Sequence, residues 1–409
     1  MKHIAMISVH GDPSADIGTE GAGGQNVYVR EVARSLVNRG LTVDVFTRSL
    51  KTEQVRSNAL APGARVIQVP CGPSGYIPRD GLFTLLPGFV RRVIDWARQN
   101  GVRYEVVHSN YWISGWAGMR LAAAWRTPQT HTFHSLGKVK YQALESCLTD
   151  AGKVRLGVEE AITASVTALI ATSDYEAQKL RCLYQAPSHI AVIPCGYDHE
   201  LFRPLDRAKC RNDLNLPHDM PILLYVGRFV HEKGLETLIR TVSVLRLDRP
   251  VYLLLVGGYQ EGGADEDEFK RIRSLVNDRG LAPVTRFAGA VRHDDLAAYY
   301  SAADVTVIPS HYETFGMVAI EAMASGCPVV ASATGGLASN VIHGETGLLA
   351  TPGSVPEFTQ CISVLLSDRY LARKLAILAR RHACGAFRWS RIAESLERHY
   401  GSLSSVGAI

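Results

Sequence analysis

Short apolar runs alternate with stretches of helical periodicity along almost the whole chain, and the alternation runs twice. A strand followed by a helical crossover rejoins its sheet in parallel, so this pattern predicts doubly wound sheets with helices on both faces. In the first run, strands are expected at Ile4 to Val9, Leu41 to Thr47, Arg65 to Pro70, Val106 to Ser109, Gln129 to Phe133, Ala168 to Thr172 and Ile190 to Pro194. Helices are expected between them at Gly24 to Arg39, Phe89 to Gln99, Val154 to Thr167 and Tyr175 to Leu183. From Gly196 to Pro221 the periodicity lapses, the signature of a linker carrying a short helix. It restarts with strands at Ile222 to Val226, Val251 to Val256, Val284 to Phe287, Asp304 to Ile308 and Pro328 to Ala331. The helices of this run are expected at Leu235 to Leu245, Glu266 to Arg279 and Leu296 to Ser301, and after Ala350 the chain reads as helix to about Ser402. The expectation is an α/β protein of two Rossmann-like domains, residues 1–198 and 199–385, facing across a cleft, with 386–409 a C-terminal helix free to cross back to the first. Ligands of such sheets bind outside the carboxyl ends of the strands.

Composition narrows the function classes. With 46% hydrophobic and 20% charged residues over 409, the chain has the make-up of a globular protein with room for two cores. A net charge of +5 without a basic run gives no footprint for nucleic acid. No apolar run reaches the roughly 18 residues of a membrane span, and Met1-Lys2-His3 leads straight into a strand, so a cytoplasmic protein without an integral membrane segment is expected. The eight cysteines are scattered with no Cys-x-x-Cys pair, which suggests neither a zinc site nor a disulfide framework.

The stretch from His311 to Gly326 holds the oddity. Met317, Val318, Ala319, Ile320, Ala322, Met323 and Ala324 make a short helix apolar on nearly every face, yet Glu321 sits among them. A buried carboxylate is costly without donors, so Glu321 must be bonded to neighbouring structure or to a ligand. Glu313 lies in the loop before this helix, and Gly316 allows the helix to begin with its N–H groups open to an anion. Hydroxyls for the carboxylates and phosphate for the helix end point to a phosphorylated, polyhydroxylated ligand.

Other loops at strand ends carry chemistry. Gly18 to Gln25 contains Gly21, Gly23 and Gly24 before a helix, but Asn26 stands where a nicotinamide-binding turn needs its third glycine. His131 and His134 are three apart, which on a continuous strand points them to opposite faces; His134, just past the strand, suits a hydrogen-bonding role and metal binding is disfavoured. Arg228 and Lys233 bracket a strand-to-helix loop where two cations can converge on a diphosphate, with a pair between Arg228 and Glu232 as the plainer reading. Arg79 follows a glycine-rich turn and Arg155 opens a helix, and each taken singly is an ordinary surface cation, Arg155 with Glu159 one turn on. Asp265-Glu266-Asp267 enters a helix, where it stabilises the N-terminus.

Gly23-Gly24-Gln25-Asn26-Val27-Tyr28-Val29, His108-Ser109-Asn110-Tyr111-Trp112, His134-Ser135-Leu136-Gly137, Gly227-Arg228 with Lys233-Gly234, and the Glu313 to Gly326 stretch together resemble the family 4 glycosyltransferases from end to end. Within that family the resemblance is to sucrose-phosphate synthases, sucrose synthases and inositol-phosphate N-acetylglucosaminyltransferases. It implies the GT-B fold and a retaining, metal-independent transferase that needs no cofactor beyond a nucleotide-sugar donor. Arg228 and Lys233 would hold the donor pyrophosphate, Gly24 would sit over it, Glu321 would take the ribose hydroxyls, and Glu313 with the Phe315-Gly316 backbone the transferred sugar. His134 would contact that sugar near its 6-hydroxyl, so that His134, Glu313, Arg228 and Lys233 form the catalytic set. Gly23, Gln25, Arg79, Tyr111, Ser135, Lys140 and Arg155 would bind the acceptor and its phosphate. The implied reaction moves glucose from UDP-glucose to fructose 6-phosphate. The alternatives are N-acetylglucosaminyl transfer to inositol 1-phosphate, a sucrose synthase using free fructose, and an inactive nucleotide-sugar binding protein.

Overall fold

The computed structural model describes residues 2–15, 23–51, 54–143, 148–187, 190–259 and 264–406. Two compact units emerge, Met1–Cys195 with Trp389–Ile409, and Gly196–Arg388. The described strands of the first unit are β1 (His3–Ile7), β2 (Thr42–Ser49), β3 (Arg56–Ala61), β4 (Ala64–Pro70), β5 (Val106–Asn110), β6 (Gln129–Thr132), β7 (Ala168–Ala171) and β8 (Ile190–Val192). They lie in the order β3-β4-β2-β1-β5-β6-β7-β8, parallel except where β3 runs antiparallel to β4. The helices are α1 (Gly24–Val37), α2 (Leu86–Gln99), α3 (Trp112–Trp125), α4 (Gly137–Ala143), α5 (Asp150–Ser165) and α6 (Asp174–Tyr184).

The second unit begins with α7 (Arg207–Asp213) in the segment read as a linker. Its strands β9 (Ile222–Val226), β10 (Tyr252–Val256), β11 (Thr285–Gly289), β12 (Val305–Ile308), β13 (Val329–Ser332) and β14 (Leu348–Ala350) are all parallel, in the order β11-β10-β9-β12-β13-β14. Around them stand α8 (Leu235–Leu245), α9 (Ala264–Asp278), α10 (Leu296–Ala302), α11 (Met317–Ala324), α12 (Gly335–Asn340), α13 (Val355–Ser367) and α14 (Arg369–Ala386). Leu223, Tyr225, Leu253, Leu255, Val305 and Val307 bury one face of the sheet against Leu238, Val242, Phe358 and Ile362 of α8 and α13.

Several elements differ from expectation for identifiable reasons. β3 is mostly exposed and lacks alternation; it forms because the edge of β4 offers unpaired backbone groups. α3 is apolar around much of its circumference, so its sequence has no amphipathic period to read. α2 begins at Leu86, with Pro87 in its first turn, where the missing N–H costs no bond. α5 begins at Asp150, capped by Thr149 Oγ1, which accepts from Gly152 N at 3.1 Å, so Arg155 lies in its second turn rather than at its start. The helical C-terminal region is three helices, because Asp368 turns its carboxylate onto Leu371 N at 2.9 Å and caps α14. The last, α15 (Trp389–Val406), packs on the first unit. There Tyr400 Oη lies 2.7 Å from His108 Nδ1 and His399 Nε2 lies 2.9 Å from Thr130 Oγ1. No helix among the described residues is long and apolar enough to cross a membrane.

A buried carboxylate organises the base of the first sheet. Asp44 of β2 has no exposed surface and accepts from Arg65 Nε and Nη2, both at 2.8 Å, and from Tyr104 Oη at 2.7 Å, with His3 Nε2 at 3.0 Å. Burial pushes its carboxyl up, but the bonds from His3, Arg65 and Tyr104 outweigh it and hold it below the usual value. A depressed carboxylate stabilises the fold above its unfolded pKa and loses that contribution as pH falls through the folded one. Removing one partner of a buried pair costs about 3–5 kcal/mol, and the half-exposed Arg65 places this case at the low end. Asp44→Ala is expected to lower the thermal unfolding midpoint of the first unit by about 6–12 °C at neutral pH. Calorimetry should show the gap from wild type closing as pH falls below about 4.

Candidate active site

In a doubly wound sheet the crevice opens where the chain reverses its direction of strand addition. In the second unit β9 is joined to β10 on one side and flanked by β12 on the other, so the loops after β9 and β12 bound that crevice. They carry Arg228 and Lys233, and Glu313 and Gly316. The two loops interlock: His311 N donates to Glu232 O at 2.9 Å, and Gly234, at φ +65°, approaches Pro309 so closely that a Cβ would lie 2.0 Å from its carbonyl oxygen. Lys233 Nζ is thereby brought onto Glu313 Oε2, and these two sequence candidates form one ion pair.

Gly316 begins α11 at φ +90°, where a side chain would also strike Leu337. Its carbonyl accepts from Ala319 N at 3.0 Å, while the N–H groups of the first turn face outward along the helix axis. The preceding loop is clamped by α12, since Gly336 N donates to Glu313 O at 3.1 Å and Asn340 Nδ2 to Phe315 O at 2.7 Å. The Phe315 ring turns inward to Phe387. Arg228 is half exposed and pairs with Asp265 at 3.4 Å, so the acidic start of α9 also anchors this cation. Tyr225 Oη holds the loop by donating to Arg228 O at 2.7 Å.

Glu321 is 4% exposed and has the donors its burial demands: Tyr300 Oη at 2.9 Å and His293 Nε2 at 2.8 Å. Neither residue stood out in the sequence, since each is an ordinary member of its helix or turn until α11 packs beside it. A carboxylate has about four acceptor positions, so both oxygens retain capacity for ligand hydroxyls.

The first unit reverses direction at β1, between β2 and β5. Residues 18–22 of the glycine-rich loop, Gly21 included, lie outside the described residues. Gly23 caps α1 and Gly24 is exposed at its start. Asn26, which breaks the nicotinamide pattern, accepts from Gly23 N at 3.0 Å and donates to Asp12 O at 2.9 Å, a cross-link glycine could not make. Gln25 commits its amide nitrogen to Ser8 Oγ and Asn110 O at 3.2 and 3.3 Å.

Two non-glycine residues at the ends of adjacent strands have positive φ, Tyr111 at +75° after β5 and His134 at +59° after β6. Such conformations cost about 1–3 kcal/mol each and cluster at functional sites. Asn110 donates through Nδ2 to His108 O, which aims Oδ1 at His134 Nε2, 2.9 Å away. His134 therefore carries its proton on Nε2 and presents Nδ1 as an acceptor, with the edge of Tyr28 against its ring. Burial lowers both His134 and His131 to about 3, so both are neutral. His131 faces the interior, bonded to Ser109 Oγ at 2.8 Å.

Of the acceptor-side candidates, Arg79 and Arg155 gather around Tyr111, and Arg155 links Ser135 to it. Arg155 is 6% exposed, a correction to its reading as a surface cation, and donates to Glu159 Oε1 at 2.7 Å, Ser135 O at 2.7 Å, Ser135 Oγ at 3.2 Å and Tyr111 Oη at 3.4 Å. Arg79 and Arg155 stand 5.8 and 5.2 Å from the Tyr111 ring centre. Lys140 lies on α4. Glu159, fully buried, also accepts from Gly137 N at 2.9 Å and from Tyr184 Oη, so one carboxylate orients Arg155 and holds the Ser135 to Gly137 loop. His10, unremarked in the sequence, packs 4.8 Å from Tyr111, and its buried Nδ1 has no partner among the described residues. Burial, then Arg79 and His134, push His10 well below its usual pKa.

Residues 206–382 match the family described as Glycosyl transferases group 1, and residues 22–201 that described as Glycosyltransferase Family 4. A sucrose-phosphate synthase from Thermosynechococcus elongatus superposes with a TM-score of 0.91 at 42% identity, covering 99% of this chain and 100% of that one. The D-inositol 3-phosphate glycosyltransferase of Actinosynnema mirum is 38% identical over 99% of this chain and 98% of its own length. Anabaena HepE, solved in complex with UDP and glucose, shares the fold at a TM-score of 0.77 and 22% identity, covering 98% of this chain and all of its own.

The histidine states can be checked by ¹⁵N NMR of histidine-labelled protein. His134 and His131 are expected to stay neutral from about pH 8 down to about pH 5, with His134 as the Nε2–H tautomer. Asn110→Ala should abolish that tautomer preference without charging the ring.

Proposed function

The chain belongs to the family 4 glycosyltransferases of the GT-B fold, and from that premise we propose that it moves glucose from UDP-glucose to fructose 6-phosphate, giving sucrose 6-phosphate and UDP. The observation that carries the acceptor assignment is the convergence of Arg79, Arg155, Ser135 and Tyr111 in the first unit. These cations are independent of Arg228 and Lys233, and a phosphate dianion is the ligand their charge suits. A second reading, an inositol phosphate acceptor, is favoured by the names of relatives 38% identical over nearly the full chain. Both readings share a phosphorylated polyol. The seven described cysteines are free, which suits a cytoplasmic setting.

In this reading the acceptor hydroxyl attacks the anomeric carbon on the face the nucleotide leaves, so the configuration is retained. The C–O bond to the diphosphate breaks as the new glycosidic bond forms, and the hydroxyl proton passes to the departing phosphate oxygen. Arg228, Lys233 and the open N–H groups of α11 stabilise the charge growing there. The donor diphosphate draws Lys233 from Glu313 and frees that carboxylate for a sugar hydroxyl. Neutral His134 accepts a hydroxyl hydrogen through Nδ1; its one proton is held on Nε2 against Asn110, and with a pKa of about 3 it carries no second proton to give as an acid at neutral pH. Glu321 takes the ribose hydroxyls.

Charge-assisted hydrogen bonds contribute about 1.5–3 kcal/mol, so Lys233→Ala should lower kcat/KM for the donor by about 10- to 150-fold. Half-exposed Arg228 belongs at the lower end. Activity should be unchanged in EDTA; wild-type rates in both variants, or a strict need for added divalent metal, would overturn the donor assignment.

The acceptor is tested by steady-state rates with fructose, fructose 6-phosphate and an inositol phosphate, the last with UDP-N-acetylglucosamine as donor. Wild type should prefer fructose 6-phosphate over fructose strongly. Arg79→Ala and Arg155→Lys should raise KM for the phosphorylated sugar about tenfold or more while leaving fructose unaffected. Lysine is used at 155 because alanine would strand the buried Glu159 charge. Equal use of fructose would remove the phosphate site, and exclusive use of inositol phosphate would keep the site and change the substrate.

A further inference from the structure

Helix α14 carries Arg369, Arg373, Lys374, Arg380 and Arg381 and no acidic residue. All five cations are exposed, and none pairs with a carboxylate among the described residues. Some exposed cations on other helices have such partners, as in Arg34 with Glu31, Lys153 with Asp150, Arg240 with Glu236 and Lys270 with Glu266. The same face holds Tyr370 at 81% and Ile377 at 52% exposure, the first among the most exposed large apolar side chains of the chain.

Their placement is ordered. Successive residues turn by about 100°, so Tyr370 and Ile377 fall nearly on one line. Arg369, Arg373 and Arg380 run along one side of that line and Lys374 and Arg381 along the other. The opposite face, Leu375, Ala376, Ala379 and Ala383, is buried in the second unit. The turn after α8, which holds Leu247 at 83% exposure, is tied to the end of α13, where Arg249 Nη2 donates to Ser367 Oγ at 2.7 Å. Asp248 beside Leu247 is exposed, while Asp368 is engaged as the α14 cap.

We propose that the exposed face of α14 is a docking surface for an anionic phospholipid bilayer. An apolar centre line between two cationic rails is the arrangement that seats at a bilayer surface, with Tyr370 and Ile377 entering the headgroup boundary and the long cationic side chains reaching lipid phosphates. A nucleic acid would use the cations and leave both apolar side chains in water. An acidic peptide needs a groove, and a single convex helix face offers none. The proposal does not depend on which acceptor the enzyme uses.

The test is co-sedimentation of the full chain with vesicles of phosphatidylcholine, alone or mixed with phosphatidylglycerol, at low and high salt. Binding is expected only to the mixed vesicles and should weaken with salt. Each neutralised cation should lower the partition about fivefold, so Arg373→Gln with Lys374→Gln should lower it about 25-fold. Tyr370→Ser with Ile377→Ser should lower it several-fold with every charge intact, and Tyr370→Trp should shift its fluorescence to the blue on the mixed vesicles. An unchanged thermal unfolding midpoint in each variant keeps a folding defect from passing as lost binding. Absence of binding to the mixed vesicles at low salt would overturn the proposal. So would binding that follows the cations but ignores the serine variant, which would mark a general polyanion patch for an acidic protein or a nucleic acid.

Discussion

A parallel strand hands the chain to a crossover that must return over one face of the sheet with a fixed hand. When the chain changes the side on which it adds strands, two neighbouring strand ends diverge and their loops cannot cover each other. Both units have such a reversal, at β1 beside β5 and at β9 beside β12. Several residues with unusual conformations or unusual charge stand on the loops that leave these strands or their neighbours. Gly234 and Gly316 permit the close approach of backbone in the second unit, and Tyr111 and His134 bear positive φ in the first.

Carboxylates, of which Glu159 is fully buried, then decide where the cations point. Glu159 takes the Nε of Arg155 and the N–H of Gly137, so the outer nitrogens of the guanidinium are left on the Tyr111 and Ser135 side. Glu313 receives Lys233, and Asp265 receives Arg228. A cation already paired is held in place, and an incoming phosphate must compete with its partner. An anion bound there would be held more weakly than bare charge suggests, in a geometry set beforehand.

Neutral histidine completes the arrangement. At His134 burial removes the charge and Asn110 selects the tautomer, leaving Nδ1 as an acceptor. The same economy appears at His108, held between Tyr400 and Thr132, where the final helix is fastened to the first unit.

The sequence by itself determined the two parallel sheets, because strand and helix periods are local and the apolar runs show which faces must be buried. It also determined that Glu321 needs donors and that Asn26 rules out a nicotinamide turn, since both follow from single-residue chemistry. It could not identify His293 and Tyr300 as those donors, nor Asp265 as the partner of Arg228, because these contacts join residues 28, 21 and 37 positions apart. Arg155 reads as an ordinary surface cation until α3, α5 and the loop after β6 close around it. The polar edge strand β3 and the apolar helix α3 carry no period at all. Strand order, and with it the choice of which loops meet, rests on crossovers between segments distant in the chain, which no local pattern records and only the folded sheets decide.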